Sequence, residues 1–391
     1  MEVSAITSDF AFSRNPIILQ GAFPVEDPNT LPNGVFKIRY QNVDIYEGRF
    51  SPPLSINVAE IIDAYVTYFP EPPADNTDPL CQIEGSQDLD FRRMLCSAEY
   101  DSVDREYNCI VLPGGISRQN YERYWIEGAD VFQSRFLYPA CNFFMTTRTA
   151  SWSIVMKETE LYPLYFIVQN DNDEIKIMAP EGSSYVNDNL EPGIAVLDIG
   201  LLRKYFVEDK NILPSVFEIY YNDNYSCRIV VEKSENVMRR HRLKFRNSLG
   251  VFEIIELTGE ISVSPEYTEA EDAKFKRYNK IIDDFVVDRD RIECRQTIAV
   301  DTGVKRPDEI RFLMDMLSSD EVYLLDLTSM PLKVIPSIEE VSYDPHPEKP
   351  QNFTIKLEIP FSEENILPDI ADGSDSVKPR VHSYHFTKTF N

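Results

Sequence analysis

The chain has 391 residues, of which 65 are acidic and 39 are basic, so its formal net charge is −26. This much negative charge disfavours binding to a nucleic-acid backbone, while an apolar content of 43% excludes global disorder. The length exceeds what one hydrophobic core usually supports, so we expect two or three domains. Scarce glycine (14 residues), with 26 prolines, 21 tyrosines and 23 phenylalanines, favours a mainly β fold.

The sequence lacks the patterns of membrane insertion and secretion. No apolar run reaches the roughly 18 to 20 residues of a membrane helix, and the residues after Met1 do not resemble a signal peptide. We therefore expect a soluble protein, made in the cytoplasm, without a membrane partner. The cysteines are scattered without a CxxC pair, which is typical of small buried hydrophobic residues. They are Cys81, Cys96, Cys109, Cys141, Cys227 and Cys294.

The first hundred residues alternate between strand patterns and turns. Residues 10–19 indicate two strands joined near Pro16, and the period-two alternation of residues 35–40 and 44–50 predicts a hairpin. Residues 54–58 indicate a further strand that leads into a short helical pattern. Residues 69–106 contain several prolines and many acidic residues, so we expect an insertion that runs over the surface and contains no central strand.

Comparison of the chain with itself indicates an internal duplication, because five short patterns recur in the same order. The spacing between partners mostly shrinks along the chain, as expected if the second copy has shorter loops. The alternative is chance similarity among short strand patterns. The five pairs are residues 15–18 with 162–165, 36–39 with 175–178, 56–59 with 197–200, 107–111 with 225–229, and 152–155 with 252–255.

These patterns predict a mainly β, multidomain fold of sandwich-like or barrel-like domains. The first domain spans residues 1–160 with the insertion at 69–106, and a related, shorter domain spans residues 161–262. A change of composition indicates a third β-domain at residues 263–391, which ends in a polar tail.

One short helix is predicted in the C-terminal domain, at residues 307–317. Pro307 suits the first turn of a helix, and Asp308 and Glu309 complement the helix dipole. The apolar residues of the segment share one face, which indicates a helix packed on a core. They are Ile310, Leu313, Met314 and Leu317.

Signals for catalysis or metal binding are weak. The sequence has no GxSxG, P-loop, GxGxxG or HExxH pattern and only four histidines. His241 lies in a basic run, which favours a solvated or partner-facing strip over a catalytic base, and His346 lies in a proline-rich loop. His382 and His385 could share a metal on one face of a helix, but a strand would separate them and no further ligand is evident. We predict no catalytic residue, cofactor or metal site.

Three other patterns have both a functional and a structural interpretation. Acidic pairs, such as Asp283 with Asp284 or Asp288 with Asp290, could serve glycoside hydrolysis, but in so acidic a chain they indicate a solvated face. The glycines at 114–115 are typical of a tight turn rather than of a ligand cradle. The basic run 239–246 could pair with an acidic neighbour, including another copy of the chain, or form a plain surface strand.

Four stretches of strand and turn residues carry a resemblance to a known family. They are FAFSRNPI at 10–17, LYPLYF at 161–166, FRNSLG at 245–250 followed by LTG at 257–259, and LSSDEVYL at 317–324. In these the chain resembles virion-associated proteins encoded by tailed phages of gut Bacteroidetes and by related prophages. The resemblance implies a structural role in the tail or neck of a virion, after synthesis in the bacterial cytoplasm, and brings no catalytic residues. The helix at 307–317 with its following strands also resembles modules of distal-tail and baseplate-hub proteins.

Three hypotheses follow, from different classes of function. The first is a structural phage-tail subunit of ring, distal-tail or baseplate type, which assembles with other virion tail proteins and with copies of itself. The second is a receptor-binding or glycan-binding module at a tail tip, which would use exposed aromatic residues of a loop. That loop contains Asn120, Tyr121, Tyr124 and Trp125. The third, a cell-wall hydrolase, has the least support in the sequence.

Overall fold

The computed structural model of the chain is mainly β. It describes residues 9–21, 34–100, 103–127, 129–148, 152–234, 237, 239–269, 274–289, 292–327, 330–337, 351–360 and 363–364. The contacts divide the chain into two compact units, which confirms the multidomain prediction. Unit 1 comprises Met1–Glu235, Arg246–Ile254 and Asp308–Met316, and unit 2 comprises Asn236–Phe245, Ile255–Pro307 and Leu317–Asn391.

The first part of unit 1 contains a five-stranded sheet and a separate strand pair. The elements are β1 (Phe10–Phe12), β2 (Ile18–Gly21), β3 (Gly34–Tyr40), β4 (Val43–Phe50), β5 (Leu54–Asn57), α1 (Ala59–Asp63), β6 (Leu80–Glu84), α2 (Ser86–Phe91), β7 (Arg93–Tyr100) and β8 (Val103–Leu112). The sheet has the order β1-β8-β7-β3-β4, in which only β1 and β8 are parallel neighbours. Strands β2 and β5 form the antiparallel pair.

The second part of unit 1 repeats this arrangement. Its elements are α3 (Arg118–Glu127), a π-helical turn (Phe132–Phe136), β9 (Ser153–Lys157), β10 (Leu164–Val168), β11 (Asp173–Met178), β12 (Ser184–Leu190), β13 (Gly193–Leu197), α4 (Ile199–Lys210), β14 (Val216–Tyr221) and β15 (Asn224–Glu232). The sheet has the order β12-β11-β14-β15-β9, again with one parallel pair, β9 and β15. Strand β10 pairs with β13, and β6 joins that pair.

The identical strand order and direction support the predicted duplication. In each copy the first strand lies parallel to the last, the second pairs with the fifth, and a helix follows the fifth. Four of the five predicted pairs of patterns fall on, or directly before, equivalent strands. The fifth is wrong, because residues 152–155 overlap β9, and its equivalent is β1 rather than residues 252–255.

The predicted domain boundaries at 160 and 262 differ from the observed division. Both copies lie in unit 1, and β6 of the first copy pairs with β13 of the second. Residues 69–106 are not a surface insertion throughout, because they include β7, a central strand of the first sheet. All prolines of that segment lie at residues 70–79, so they do not interrupt β7, whose alternate residues Met94, Cys96 and Ala98 are buried.

The core of unit 1 is rich in phenylalanine. Phe12 of β1 contacts Phe132 and Phe136 of the π-helical turn, with ring centroids 4.6 and 5.5 Å apart, and all three side chains are buried. Helix α4 is fixed at both ends, since the Asp198 carboxylate accepts from the backbone N–H of Leu201 at 3.0 Å and Asn211 ends the helix in a left-handed conformation.

A buried carboxylate ties β11 to the turn between β14 and β15. Asp173 accepts hydrogen bonds from the Tyr221 hydroxyl at 2.6 Å, the Asn222 amide at 2.8 Å and the backbone N–H of Asn170 at 3.1 Å. Burial acts to raise the pKa of Asp173, but these hydrogen bonds to the charged form outweigh it, and the pKa lies below its ordinary value.

The last part of the chain forms most of unit 2. Its elements are β16 (His241–Arg246), β17 (Phe252–Leu257), β18 (Ile261–Glu269), β19 (Lys274–Asn279), β20 (Asp284–Arg289), β21 (Ile292–Asp301), α5 (Pro307–Leu317), β22 (Val322–Leu324), β23 (Leu332–Ser337), β24 (Thr354–Glu358) and β25 (Glu363–Glu364). One sheet has the order β17-β16-β22-β23-β24-β21-β18, and β25 also pairs with β21. Strands β19 and β20 form a separate pair.

Helix α5 confirms the predicted helix at 307–317, but its residues 308–316 belong to unit 1 rather than to a C-terminal domain. Ile310, Leu313 and Leu317 are buried as predicted, whereas Met314 of the predicted stripe is only partly buried. Phe312 and Met316 are buried as well, so the helix is covered over more than one stripe. The predicted polar tail lies outside the described residues.

Candidate functional site

A β-hairpin leaves the sheet of unit 2 between β18 and β21, and we call its residues 274–289 the arm. Among the described residues, β19 and β20 pair only with each other, in register from Lys274 opposite Arg289 to Asn279 opposite Asp284. The rings of Tyr278 and Phe285 meet across the two strands with their centroids 5.4 Å apart. This cross-strand aromatic contact fixes the register of the hairpin near its tip.

A four-residue turn, residues 280–283, closes the arm. The Asn279 side chain accepts a hydrogen bond from the backbone N–H of Ile281 at 3.0 Å, and the Tyr278 hydroxyl donates to the Asp283 carboxylate. Asp283 has a φ of 56°, in the left-handed region that aspartate tolerates better than most residues. The turn therefore has a defined shape that presents its apolar side chains outward.

The tip of the arm exposes a cluster of apolar side chains. Ile281 is 92% exposed and Phe285 is 62% exposed. The whole set comprises Tyr278, Ile281, Ile282, Phe285 and Val286. A single exposed apolar residue is ordinary, whereas five within nine consecutive positions make the tip of the arm a candidate interaction surface.

The arm also differs in charge from the rest of the chain. It carries five basic and three acidic residues, a formal charge of +2, so the remainder of the chain carries −28. The outgoing half, residues 274–282, has four basic residues and no acidic one. The arm is therefore a basic, apolar projection from a strongly acidic protein.

The basic run 239–246 is largely neutralised inside the chain. Three of its arginines form ion pairs within unit 2, and Arg246, in unit 1, stacks on two aromatic rings. The contacts are Arg239 with Glu260 at 3.5 Å, Arg240 with Glu256 at 2.6 Å, Arg242 with Asp326 at 2.6 Å, and Arg246 over Tyr68 and Phe252 at 3.8 and 4.1 Å. These contacts favour a structural role for the run over a docking strip.

The histidines provide no catalytic arrangement in the described part of the chain. His241 is partly buried on β16, and neither ring nitrogen has a hydrogen-bond partner there. Burial lowers the pKa of His241 in spite of the nearby Asp326, which favours the neutral ring. His346, His382 and His385 lie outside the described residues. Within the described residues, no group of three or more potential metal ligands comes together.

The positions of the acidic pairs and of the glycines at 114–115 favour a structural role over a catalytic or ligand-binding one. Asp283 and Asp284 are exposed in and beside the arm turn, and Asp290 lies outside the described residues. Gly114 has a φ of 93°, and a Cβ at this position would lie 2.4 Å from the carbonyl oxygen of Ser248. The glycine is needed for this close backbone approach, but it lies in the segment that leads from β8 into helix α3 and not in the predicted tight turn.

The predicted aromatic loop at residues 120–125 is instead part of helix α3. The helix lies beside residues 14–18, where it lines a groove of about 400 Å³. Tyr121 contributes to the groove and donates its hydroxyl hydrogen to the Pro16 carbonyl at 2.9 Å. Arg14, Asn15 and Glu122 give the groove both charges and an amide. Pro16, Ile18 and Ile116 complete the lining, so the groove combines polar and apolar groups.

A buried charge cluster in unit 1 was not predicted from the sequence. The Arg148 guanidinium lies 2.8 Å from the Glu160 carboxylate and 3.5 Å from that of Glu253, and it stacks over the Phe312 ring at 4.2 Å. Burial raises the pKa of Glu253, although Arg148 opposes the shift. Because all three charged groups are buried, the cluster connects distant segments of the chain and does not face a substrate.

The cysteines agree with the prediction of buried, unbridged residues where they are described. Cys96, Cys109 and Cys227 are buried and free, and Cys81 and Cys141 are free and partly buried. Among the described residues, no helix is both long and apolar enough to span a membrane. No protein-family model matches the chain, and no curated protein matches it.

Proposed function

We propose that this chain is a structural subunit of a phage tail, of ring, distal-tail or baseplate type, and that it acts through protein–protein assembly. The observation that carries the proposal is the arm, which holds five exposed apolar side chains on an ordered hairpin. Clusters of this kind form the centres of protein interfaces. The resemblance of the strand and turn patterns to virion-associated proteins is the reason to assign the assembly to a tail.

The sheet edges in unit 1 provide additional support for an assembling protein. Strand β4 ends the first sheet and β12 ends the second, and each leaves one valine exposed, Val43 and Val186. An open strand edge offers unpaired backbone groups that a neighbouring chain can extend. These two edges, together with the arm, are surfaces through which the chain could contact several neighbours at once.

Mass spectrometry of phage particles purified from a host that carries the gene tests the proposal. We expect the chain in intact particles at several copies per particle, and we expect particles without functional tails when the gene is deleted. Tailed particles that contain no trace of the chain would contradict the proposal.

The groove beside α3 favours a second candidate function, binding of a surface glycan at the tail tip. Aromatic rings together with polar groups are the usual means of holding a sugar in a shallow site, and Tyr121 and Arg14 supply both. A glycan array with the purified chain tests it, with Tyr121→Ala as the variant and Tyr46→Ala, on the exposed edge strand β4, as the matched control. Specific glycan binding that is lost in Tyr121→Ala and kept in Tyr46→Ala would favour this function.

A further inference from the structure

We propose that the arm docks on the acidic surface of a second copy of this chain, so that neighbouring subunits are joined through heterologous contacts. This inference rests on the proposed assembly function and names the partner. A heterologous contact uses two different surfaces, an arm on one subunit and an acceptor on the next, and such contacts form rings or filaments.

Charge complementarity identifies the partner. The arm has a formal charge of +2 and its outgoing half +4, whereas the rest of the chain has −28. Two copies repel each other over most of their surfaces, and the arm is a region where this repulsion becomes attraction. Lys276 and Lys280 are exposed on this half and can meet carboxylates of the neighbour.

The tip supplies the apolar part of the contact. Ile281, Ile282 and Phe285 lie within five consecutive residues and are all largely exposed, so their burial would stabilise the dock through the hydrophobic effect. A hairpin in which each strand has a single partner is only marginally stable by itself. Docking would therefore also stabilise the pairing of β19 with β20.

Two features of the sequence favour a protein acceptor over other modes of attachment. The turn places the carboxylates of Asp283 and Asp284 beside the apolar residues, so insertion of the tip into an anionic membrane surface would bring these two carboxylates against like charge. Strand β18 lies at the end of its sheet and carries Pro265, which cannot donate a backbone hydrogen bond, so a neighbouring strand cannot pair continuously along it. The contact with the neighbouring copy would therefore be made by the side chains of the tip.

The central test measures self-association of the full chain by sedimentation velocity over a range of concentrations. The variant Ile281→Ser/Ile282→Ser/Phe285→Ser removes the apolar tip without touching the core. Leu213→Ser/Val304→Ser/Met330→Ser is the matched control, because these three side chains are 63%, 63% and 74% exposed but lie outside the arm. We expect the tip variant to weaken association at least about 100-fold, since several buried apolar side chains are lost, and the control to associate like the wild type.

A second variant tests the charge argument. Lys276→Glu/Lys280→Glu reverses two charges of the arm, and Lys204→Glu on α4 is the control. We expect the double variant to weaken association by about 10-fold or more, and we expect added salt to weaken wild-type association while affecting the double variant less. Circular dichroism of each variant checks that it folds like the wild type.

Each other outcome overturns the inference. A wild-type chain that remains monomeric at high concentration, or a tip variant that associates as well as the control, excludes the arm as the contact between copies. Flotation of the wild type, but not of the tip variant, with vesicles of anionic phospholipid would assign the arm to a membrane. These results leave the proposed function intact as long as the chain is present in purified particles, so the two failures are distinguishable.

Discussion

The buried ion pair between Glu84 and Arg92 permits a quantitative prediction. The Arg92 guanidinium donates to both carboxylate oxygens of Glu84, at 2.8 and 2.6 Å, and also to the backbone carbonyls of Thr67 and Tyr68 at 2.5 and 3.3 Å. The Cζ atom of Arg92 lies over the Phe69 ring, 4.9 Å from its centre. The side chains of Arg92 and Glu84 are only 4% and 10% exposed, so solvent cannot replace a lost partner.

The substitution Glu84→Gln leaves the Arg92 charge buried and uncompensated, and it replaces one of two acceptor oxygens by a donor. We expect the free energy of unfolding to fall by about 3–5 kcal/mol, the usual cost of removing one partner of a buried pair. Arg92→Met should cost a similar amount, because it also leaves the two carbonyls without their donor. The double variant Glu84→Gln/Arg92→Met should cost clearly less than the sum of the single variants, with a coupling of at least about 2 kcal/mol.

Urea unfolding followed by tryptophan fluorescence measures these effects. Both tryptophans of the chain, Trp125 and Trp152, belong to unit 1, so the signal reports the unit that contains the pair. The control Asp44→Asn breaks the exposed pair with Arg39 and should leave the unfolding midpoint unchanged. Additive single-variant effects, or a Glu84→Gln cost below about 1 kcal/mol, would refute the argument that this pair is desolvated and coupled.

Three other predictions follow from the packing of unit 1. Asp173 has a lower pKa in the folded chain than in the unfolded one, so it stabilises the fold above the unfolded-state pKa, and this stabilisation is lost as the pH falls through the lowered value. Asp173→Asn should therefore lower the urea midpoint at pH 7, and the midpoint of this variant should fall less between pH 7 and pH 3 than that of the wild type. Gly114→Ala should destabilise unit 1 by more than about 1 kcal/mol in urea unfolding, since its Cβ would meet the Ser248 carbonyl, and a normal midpoint would contradict that contact. Burial raises the pKa of the Cys109 thiol to about 12, so alkylation at pH 8, mapped by mass spectrometry, should modify the more exposed Cys141 well before Cys109.

The sequence predicts those elements whose residues show helical spacing or strand alternation within a short stretch of the chain. The helix at 307–317 was found because a proline, two acidic residues and an apolar stripe lie at helical spacing. Most of the duplication was found because alternating strands recur in the same order. The match of residues 152–155 failed because β9 pairs in parallel with β15, some seventy residues later, and local alternation does not encode such pairing.

Two other elements carried signals that were missed. Strand β7 buries the small residues Cys96 and Ala98 and exposes Leu95 between its inward-facing positions, so its apolar alternation is weaker than that of a strand built from valine or isoleucine. Helix α4 begins after Asp198 and ends at Asn211, which are typical capping residues. The apolar residues at the tip of the arm are visible in the sequence, but the sequence alone does not show that, among the described residues, β19 and β20 pair only with each other.

The pairing of β6 with β13 makes the relation between the two copies one-sided. Each copy forms its five-stranded sheet from its own residues, but the β10–β13 pair of the second copy receives an additional strand, β6, from the first copy, whereas the β2–β5 pair receives none. A fragment restricted to residues 152–234 would expose the backbone edge of β13 to solvent, but the first copy would not lose any strand of its own sheet by the same cut. The two copies are therefore not interchangeable modules. A gene rearrangement that kept only the second copy would also have to keep the segment that encodes β6.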